Sequence, residues 1–358
     1  MSIVGLGPHG ERAAGPERLA ISDVDADLVR KRGANVAIVL HTTQSDWAKQ
    51  QLAGIARELG RHGAAVIEVV DCRFDPDIQN TALERLAAPS SKSVALDAII
   101  SIPVGGARVA DAHRGISRSG TKLILLDNVP SGLLPGKDYA SMVSADNFGL
   151  GKTAAELLSP HLPQGSTLGL ITYAADFFVT NERALAFRTW MERYRPDAVV
   201  KSVRFAHIEE AGDAVNRLLS EDPETKGLFV VWDEPAAWVI KAVRERGLDI
   251  PMTTVDLGLT VAMELATGGL VKGVAAQQPY DQGVAAADAA LLAIAGRQPP
   301  PWVALPGLAV TQQSVVQDYQ IVWHAPAPPE LIRLKPKPAH RTAGGDAGRN
   351  PHVKTFGT

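Results

Sequence analysis

Short apolar runs that each stop on or just before an Asp, Trp, Asn or Gln leave this chain very few architectures. Val36-Ala37-Ile38-Val39-Leu40 gives way to His41-Thr42-Thr43-Gln44-Ser45-Asp46-Trp47, and Leu123-Ile124-Leu125-Leu126 stops at Asp127-Asn128. Leu228-Phe229-Val230-Val231 stops at Trp232-Asp233, Thr253-Thr254-Val255 reaches Asp256, and Val274-Ala275-Ala276 reaches Gln277. Runs this short and evenly apolar, separated by amphipathic helical stretches, read as parallel strands buried on both faces. In open α/β sheets ligands lie beyond the carboxyl ends of such strands. Residues that bind hydroxyls and stack on rings therefore recur where a ligand would lie, which points to a small-molecule site.

The same periodicity predicts strands over 36–40, 65–70, 97–101, 122–126, 166–172, 198–204, 227–231, 252–255 and 271–276. Helices are expected over 46–62, 105–119, 147–160, 180–194, 208–220, 234–246, 258–268 and 281–296. This rhythm predicts βαβ units with right-handed crossovers. A first series from Val36 to about Ser144 and a second from about Ala145 to Gln277 match in their order of elements, so two similar lobes are expected. Their first strand–helix loops are 41–47 and 173–181. Residues 1–33 are rich in Gly, Pro and charge, with at most a short helix around Asp23–Arg32. Residues 325–358, Pro-rich and then Gly-rich with scattered Lys and Arg, read as a disordered tail.

Composition excludes more than it proposes. A length of 358 residues favours two or three domains. The net charge of −3 offers no global basic field to hold nucleic acid or an anionic membrane. One cysteine, Cys72, rules out an intrachain disulfide and a Cys-based zinc site. No apolar run reaches the eighteen residues of an ordinary transmembrane helix. The first 34 residues lack the charged, apolar and small-residue layout of a secretory signal.

The familiar catalytic motifs fail on context. Gly5-Leu6-Gly7-Pro8-His9-Gly10 fits the dinucleotide fingerprint formally, but nothing before Gly5 can be a strand. Gly151-Lys152-Thr153 resembles the end of a phosphate-binding loop, but Asp146 stands where the first glycine is needed. It reads better as a helix start capped by Asp146 or Asn147. The nine histidines show no metal-binding spacing, and His41 at a strand end is more often a hydrogen-bonded structural group than a ligand contact. With no nucleophile elbow or recognisable carboxylate pair, neither an enzyme nor a cofactor is expected.

The strand-end set agrees with itself. Asp127 or Asp256 taken singly is as readily a helix cap, and Trp232 a core residue. Together, carboxylates and amides form paired hydrogen bonds with vicinal hydroxyls, and indole faces cover the C–H faces of a sugar ring. Trp47 and Trp232 sit at strand ends, whereas Trp190 and Trp238 sit at helical spacing and read as packing residues. Asp127, Asp233 and Asp256 face one candidate cation, Arg183, so a neutral polyol is favoured over a phosphate or carboxylate.

At these residues the chain resembles the type I sugar-binding family of periplasmic substrate-binding proteins, the ribose- and galactose-binding components of ABC transporters. The resemblance spans about 35–323. It is carried by 36–47, Lys122 to Asn128, Ser144-Ala145-Asp146-Asn147-Phe148-Gly149, Asn181-Glu182-Arg183 with Phe187, Trp232-Asp233-Glu234, Val255-Asp256-Leu257-Gly258 and Gln277 to Gly283. It implies two Rossmann-like lobes with parallel sheets, joined by a three-segment hinge and enclosing the ligand. The implied division is an extension 1–34, an N-terminal lobe 35–144 plus 278–308, and a C-terminal lobe 145–277 plus 309–324. By position, the family's ligand contacts fall on Ser45 and Trp47, Asp127 and Asn128, Arg183, Trp232 and Asp233, Asp256 and Gln277. Asn128 stands where ribose binders often have Arg, Trp232 where Asn is frequent, and small Ala48 follows Trp47, so the resemblance names no individual sugar. It also implies periplasmic location, a permease partner, a monomer and release of the ligand unchanged. The same fold serves LacI-type repressors, but no helix pair for a DNA-binding domain is readable before Asn35. A cytoplasmic sensor without that domain and a receptor for a non-sugar molecule are the alternatives.

Overall fold

The computed structural model describes residues 3–88 and 95–334. After α1 (Asp23–Arg32) come β1 (Asn35–Leu40), α2 (Asp46–Arg61), β2 (Ala65–Asp71), α3 (Pro76–Ala87), β3 (Ala98–Ser101), α4 (Ala110–Arg118), β4 (Lys122–Leu126) and β5 (Ser141–Ala145). A second series runs α5 (Asn147–Leu158), β6 (Thr167–Tyr173), α6 (Phe178–Tyr194), β7 (Val199–Phe205), α7 (Ala211–Glu221), β8 (Thr225–Val230), α8 (Asp233–Glu245), β9 (Met252–Val255), α9 (Leu259–Thr267) and β10 (Val271–Ala276). Then follow α10 (Pro279–Ile294), β11 (Trp302–Leu305), β12 (Leu308–Val310), α11 (Val315–Trp323) and α12 (Pro329–Arg333).

Two sheets result, ordered β11-β5-β4-β3-β1-β2 and β12-β10-β9-β8-β6-β7. Their orders superimpose when β1 to β5 are matched with β6 to β10, as the repeated rhythm predicts. Strands β3, β4 and β9 carry almost entirely buried residues because helices cover both faces. The edge strands β2 and β7 alternate or stay open instead. The sheets differ at one end: β11 joins β5 in parallel, whereas β12 joins β10 antiparallel.

The chain passes between the sheets three times, after β5, after β10 and between β11 and β12. The first two passages exchange helices. Strand β5 lies in the first sheet, yet α5 packs on α6 of the second lobe; β10 lies in the second sheet, yet α10 packs on α2 of the first. Glycine makes both contacts close. A Cβ on Gly151 would lie 2.1 Å from the Arg183 carbonyl oxygen, and one on Gly283 would lie 2.3 Å from that of Gln51. Gly151 therefore belongs to a helix contact, and Asp146 caps the start of α5 by accepting from the Gly149 N–H, as its sequence suggests.

The N-terminal extension is more structured than its composition suggests. Its one expected helix is α1, capped by Ser22 and ended by the left-handed Gly33. Upstream, Ala14 pairs with Val303 of β11. The N–H groups of Val4 and Gly5 donate to the Asp146 carboxylate at 2.7 and 3.0 Å, fastening the extension to the first passage between lobes. The expected disordered tail needs correction in its first part. Residues 329–333 form α12, and Leu331 is fully buried against the second lobe; residues 335–358 lie outside the described residues.

Candidate functional site

The carboxyl ends of both sheets border one cavity of about 180 Å³. On the first lobe, Ser45 caps α2 by accepting from the Ala48 N–H at 3.2 Å, which sets Trp47 in the first turn of that helix. The His41 ring stands edge-on to Trp47 and Phe74, with centroids 5.8 and 4.8 Å away. Trp47 packs against core residues of both lobes, and its indole N–H has no partner among the described residues. Desolvation pulls the His41 imidazole down to about 4, so the ring is neutral at pH 7.

Asp127 ends β4 in the left-handed region, φ 57°, with its N–H bonded to the Val143 carbonyl. Only 4% of the residue is exposed, and its Oδ1 is buried without a hydrogen-bond partner. Burial pushes this carboxyl up to about 7; Arg183 opposes the rise and Asp256 adds to it.

On the second lobe, Arg183 of α6 is held by three groups. Its Nε donates to Asn147 at 2.8 Å, a terminal nitrogen donates to the Val231 carbonyl at 3.0 Å, and the same nitrogen lies 3.8 Å from Asp256. Asp256 ends β9 with φ 69° and accepts from the Gln277 amide at 2.8 Å. Behind it runs a relay of buried amides: Gln282 donates to Gln277 and Gln51 donates to Gln282, each at 3.0 Å. Helices α2 and α10 of the first lobe thereby fix a carboxylate of the second.

Trp232 stands between Tyr173 and Phe205, with ring centroids 5.4 and 5.3 Å away. Asp233 accepts from the Gly258 N–H at 2.6 Å. Desolvation, with Asp256 and Glu234 nearby, holds its carboxyl well above the usual carboxylate range. Glu234 keeps much of its side chain in solvent, yet desolvation of its carboxyl also raises it, against a hydrogen bond from Trp232. Desolvation likewise raises Asp256, opposed by Arg183 and Gln277.

Eight of the nine residues singled out in the sequence border the cavity: Ser45, Trp47, Asp127, Arg183, Trp232, Asp233, Asp256 and Gln277. Asn128 does not. It is 1% exposed; its amide donates to the Pro103 and Gly105 carbonyls, and its Oδ1 accepts from the Phe178 N–H at 3.1 Å. Asn128 is thus a tie between the lobes, since Phe178 opens α6. Phe74, Tyr173, Phe177, Glu234 and Trp323 also line the cavity and were not singled out. Tyr173 ends β6, so the strand-end rule itself points to it. Trp323 arrives on α11, its indole bonded to the Leu257 carbonyl, with no such signal.

Away from the cleft, Glu58, His62 and Asp288 bring three potential metal donors together, a grouping that residue spacing did not suggest. Glu58 and His62 already satisfy each other through a 3.0 Å hydrogen bond.

A family model described as a periplasmic binding protein domain matches residues 36–298. None of the curated proteins matches the chain in sequence. Among solved structures, an ABC transporter solute-binding protein from Agrobacterium vitis with bound α-D-tagatopyranose is similar at 18% identity and a TM-score of 0.71, covering 80% of this chain and 97% of its own. A carbohydrate transporter solute-binding protein from Agrobacterium radiobacter with D-arabinose has 19% identity and a TM-score of 0.70, with coverage of 80% and 97%. A second Agrobacterium vitis solute-binding protein, with D-fucose, has 15% identity and a TM-score of 0.72, with coverage of 81% and 99%. At these identities the likeness is one of fold.

Proposed function

Because the chain belongs to the periplasmic binding protein domain family, matched over residues 36–298, we propose that it is the substrate-binding component of an ABC-type sugar uptake system and holds a monosaccharide or polyol between its lobes. The observation that carries this reading is the cavity wall: carboxylates at matching strand ends of both lobes, flanked by Trp47 and Trp232. Acidic oxygens accept from hydroxyls, and indole faces cover the apolar side of a pyranose or an extended polyol. The solved relatives described above, with tagatose, arabinose and fucose, support the same class of ligand.

The jaws are the lobes 35–144 plus 278–308 and 145–277 plus 309–324. Trp47 and Asp127 hold the ligand from one side, with Ser45 at the helix cap beside them. Arg183, Trp232, Asp233 and Asp256 hold it from the other, and Gln277 sits on the passage between. Ligand contacts from both lobes favour the closed arrangement over an open one. In the periplasm, closure presents a joint surface to a membrane permease, and opening releases the molecule chemically unchanged. Asn128, bonded across the lobes, contributes to closure rather than to recognition.

A thermal-shift panel of monosaccharides, polyols, nucleosides and amino acids tests this. A true ligand at 100 times its Kd adds about 2.7 kcal/mol of stability. A melting temperature raised by an amino acid and by no sugar or polyol would overturn the carbohydrate reading.

A further inference from the structure

We propose that the cleft is built for a cation as well as for hydroxyls: a sugar or polyol bearing a protonated amine binds more tightly than its neutral counterpart, with the ammonium drawn to Asp127, Asp233 and Glu234. This rests on the carbohydrate reading above and narrows its ligand class.

The argument is one of unbalanced charge in an enclosed space. Asp46, Asp127, Asp233, Glu234 and Asp256 all line the cavity, and Arg183 is the one Lys or Arg among the described residues that does. That guanidinium is already committed to Asn147, the Val231 carbonyl and Asp256. Asp233 finds a backbone N–H, and Glu234 lies at the rim. Asp127 is only 4% exposed, and although the Ala145 backbone supports its carboxyl, its buried Oδ1 has no donor among the described residues. A buried carboxylate without a countercharge is costly, and a hydroxyl supplies a hydrogen bond but no charge. An ammonium supplies three donors and the missing charge together. The rings agree: Trp47, Tyr173 and Trp232 line the cavity, and aromatic rings of this kind attract cations and tolerate a sugar's C–H bonds. Burial raises the Asp127 carboxyl, and Arg183, engaged elsewhere, offsets that rise only in part.

The test is calorimetric titration of the full chain at about pH 7 with matched pairs: D-glucose and D-glucosamine, D-galactose and D-galactosamine, D-glucitol and 1-amino-1-deoxy-D-glucitol. In at least one pair the amine should bind 10-fold or more tighter, and N-acetylation, which removes the charge, should abolish the gain. Asp127→Asn, which keeps the shape and tolerates the left-handed backbone, should cut that ratio severalfold; Glu234→Gln should cut it less. Melting temperatures no lower than that of wild type for both variants separate lost recognition from lost folding. If every neutral member binds as tightly as its amine, the cationic preference falls while the sugar-binding reading stands. If no member of any pair binds while another sugar or polyol raises the melting temperature, the cationic preference falls alone; if no sugar, polyol or amine binds, both fall together.

Discussion

Asp127 and Asp256 occupy the same place in the two lobes, after the third strand from the same end of matching sheets, and both adopt a left-handed backbone. Their surroundings differ. Asp256 is held by Gln277 and faces Arg183, whereas the Oδ1 of Asp127 meets no donor. The next strand ends diverge as well: β3 leads into Ile102 and Pro103, while β8 leads into Trp232, Asp233 and Glu234. One repeated architecture has become a jaw whose strand-end carboxylate leaves an oxygen unpartnered and a jaw whose strand-end carboxylates, Asp233 and Asp256, are braced by hydrogen bonds. Position in the fold sets where a side chain can act; its partners set whether it serves structure or ligand.

The widest gap between the counterparts should appear on truncation. Asp256→Ala removes the carboxylate facing buried Arg183 and leaves alanine in a left-handed backbone, so it should cost about 3 kcal/mol or more. It should also weaken ligand binding at least about tenfold, as loss of a charged hydrogen bond does. Asp127→Ala should lose comparable affinity with only the backbone strain, about 1–2 kcal/mol. Urea denaturation and calorimetry measure both; equal stability losses would break the comparison.

Proton linkage offers the next contrast. The Asp127 carboxyl sits at about 7 in the folded chain against its ordinary 3.8, with Arg183 and Asp256 as its charged neighbours. The folded state therefore binds the extra proton between those values, and its contribution to stability falls as pH rises through that window, then levels off above it. The slope cannot exceed about 1.4 kcal/mol per pH unit. His41 and His113, both pulled down to about 4, act in the opposite sense from about 4 to 6.5. Comparing wild type with Asp127→Asn cancels the histidines. The wild type should lose stability relative to the variant from pH 4 to pH 7, and parallel curves would refute the assignment.

The exchanged helices should respond alike in stability and differently in binding. Gly151→Ala and Gly283→Ala each force apart a close helix pair, and each should cost about 1–3 kcal/mol. Gly151→Ala displaces the backbone of Arg183 itself, whereas Gly283→Ala reaches Asp256 only through the Gln51–Gln282–Gln277 relay, so Gly151→Ala should lower affinity more. The smallest effect is expected at Asn128→Ala, about 1 kcal/mol for the lost tie. Small-angle scattering of that variant should show a more open ligand-free population; no change would make the tie passive.

Much of this was legible because parallel strands have a fixed ligand-facing end. Trp232 and Asp256 could be singled out from the apolar runs before them. Asn128 could not be assigned correctly, since a strand pattern carries no information about a left-handed turn. Positive φ at Asp127 swings the next side chain off the cavity and into the Pro103–Gly105 loop. Helix α3 is missing from the expected set although its start is marked locally, by Pro76 in the first helical turn behind an Asp75 cap. Phe74 and Trp323 reach the cavity from a turn and a late helix, where only tertiary folding decides what they meet.

The helix exchange between lobes has a consequence for synthesis. Residues 147–276 hold five of the second sheet's six strands together with α5, so that lobe can assemble most of its core as soon as β10 leaves the ribosome. The first lobe, although made first, must wait for α10 and β11 before its alanine-rich inner layer is covered. A chain truncated after residue 278 and released from the ribosome should resist protease over its second half and yield over its first, reversing the usual order in which a polypeptide matures.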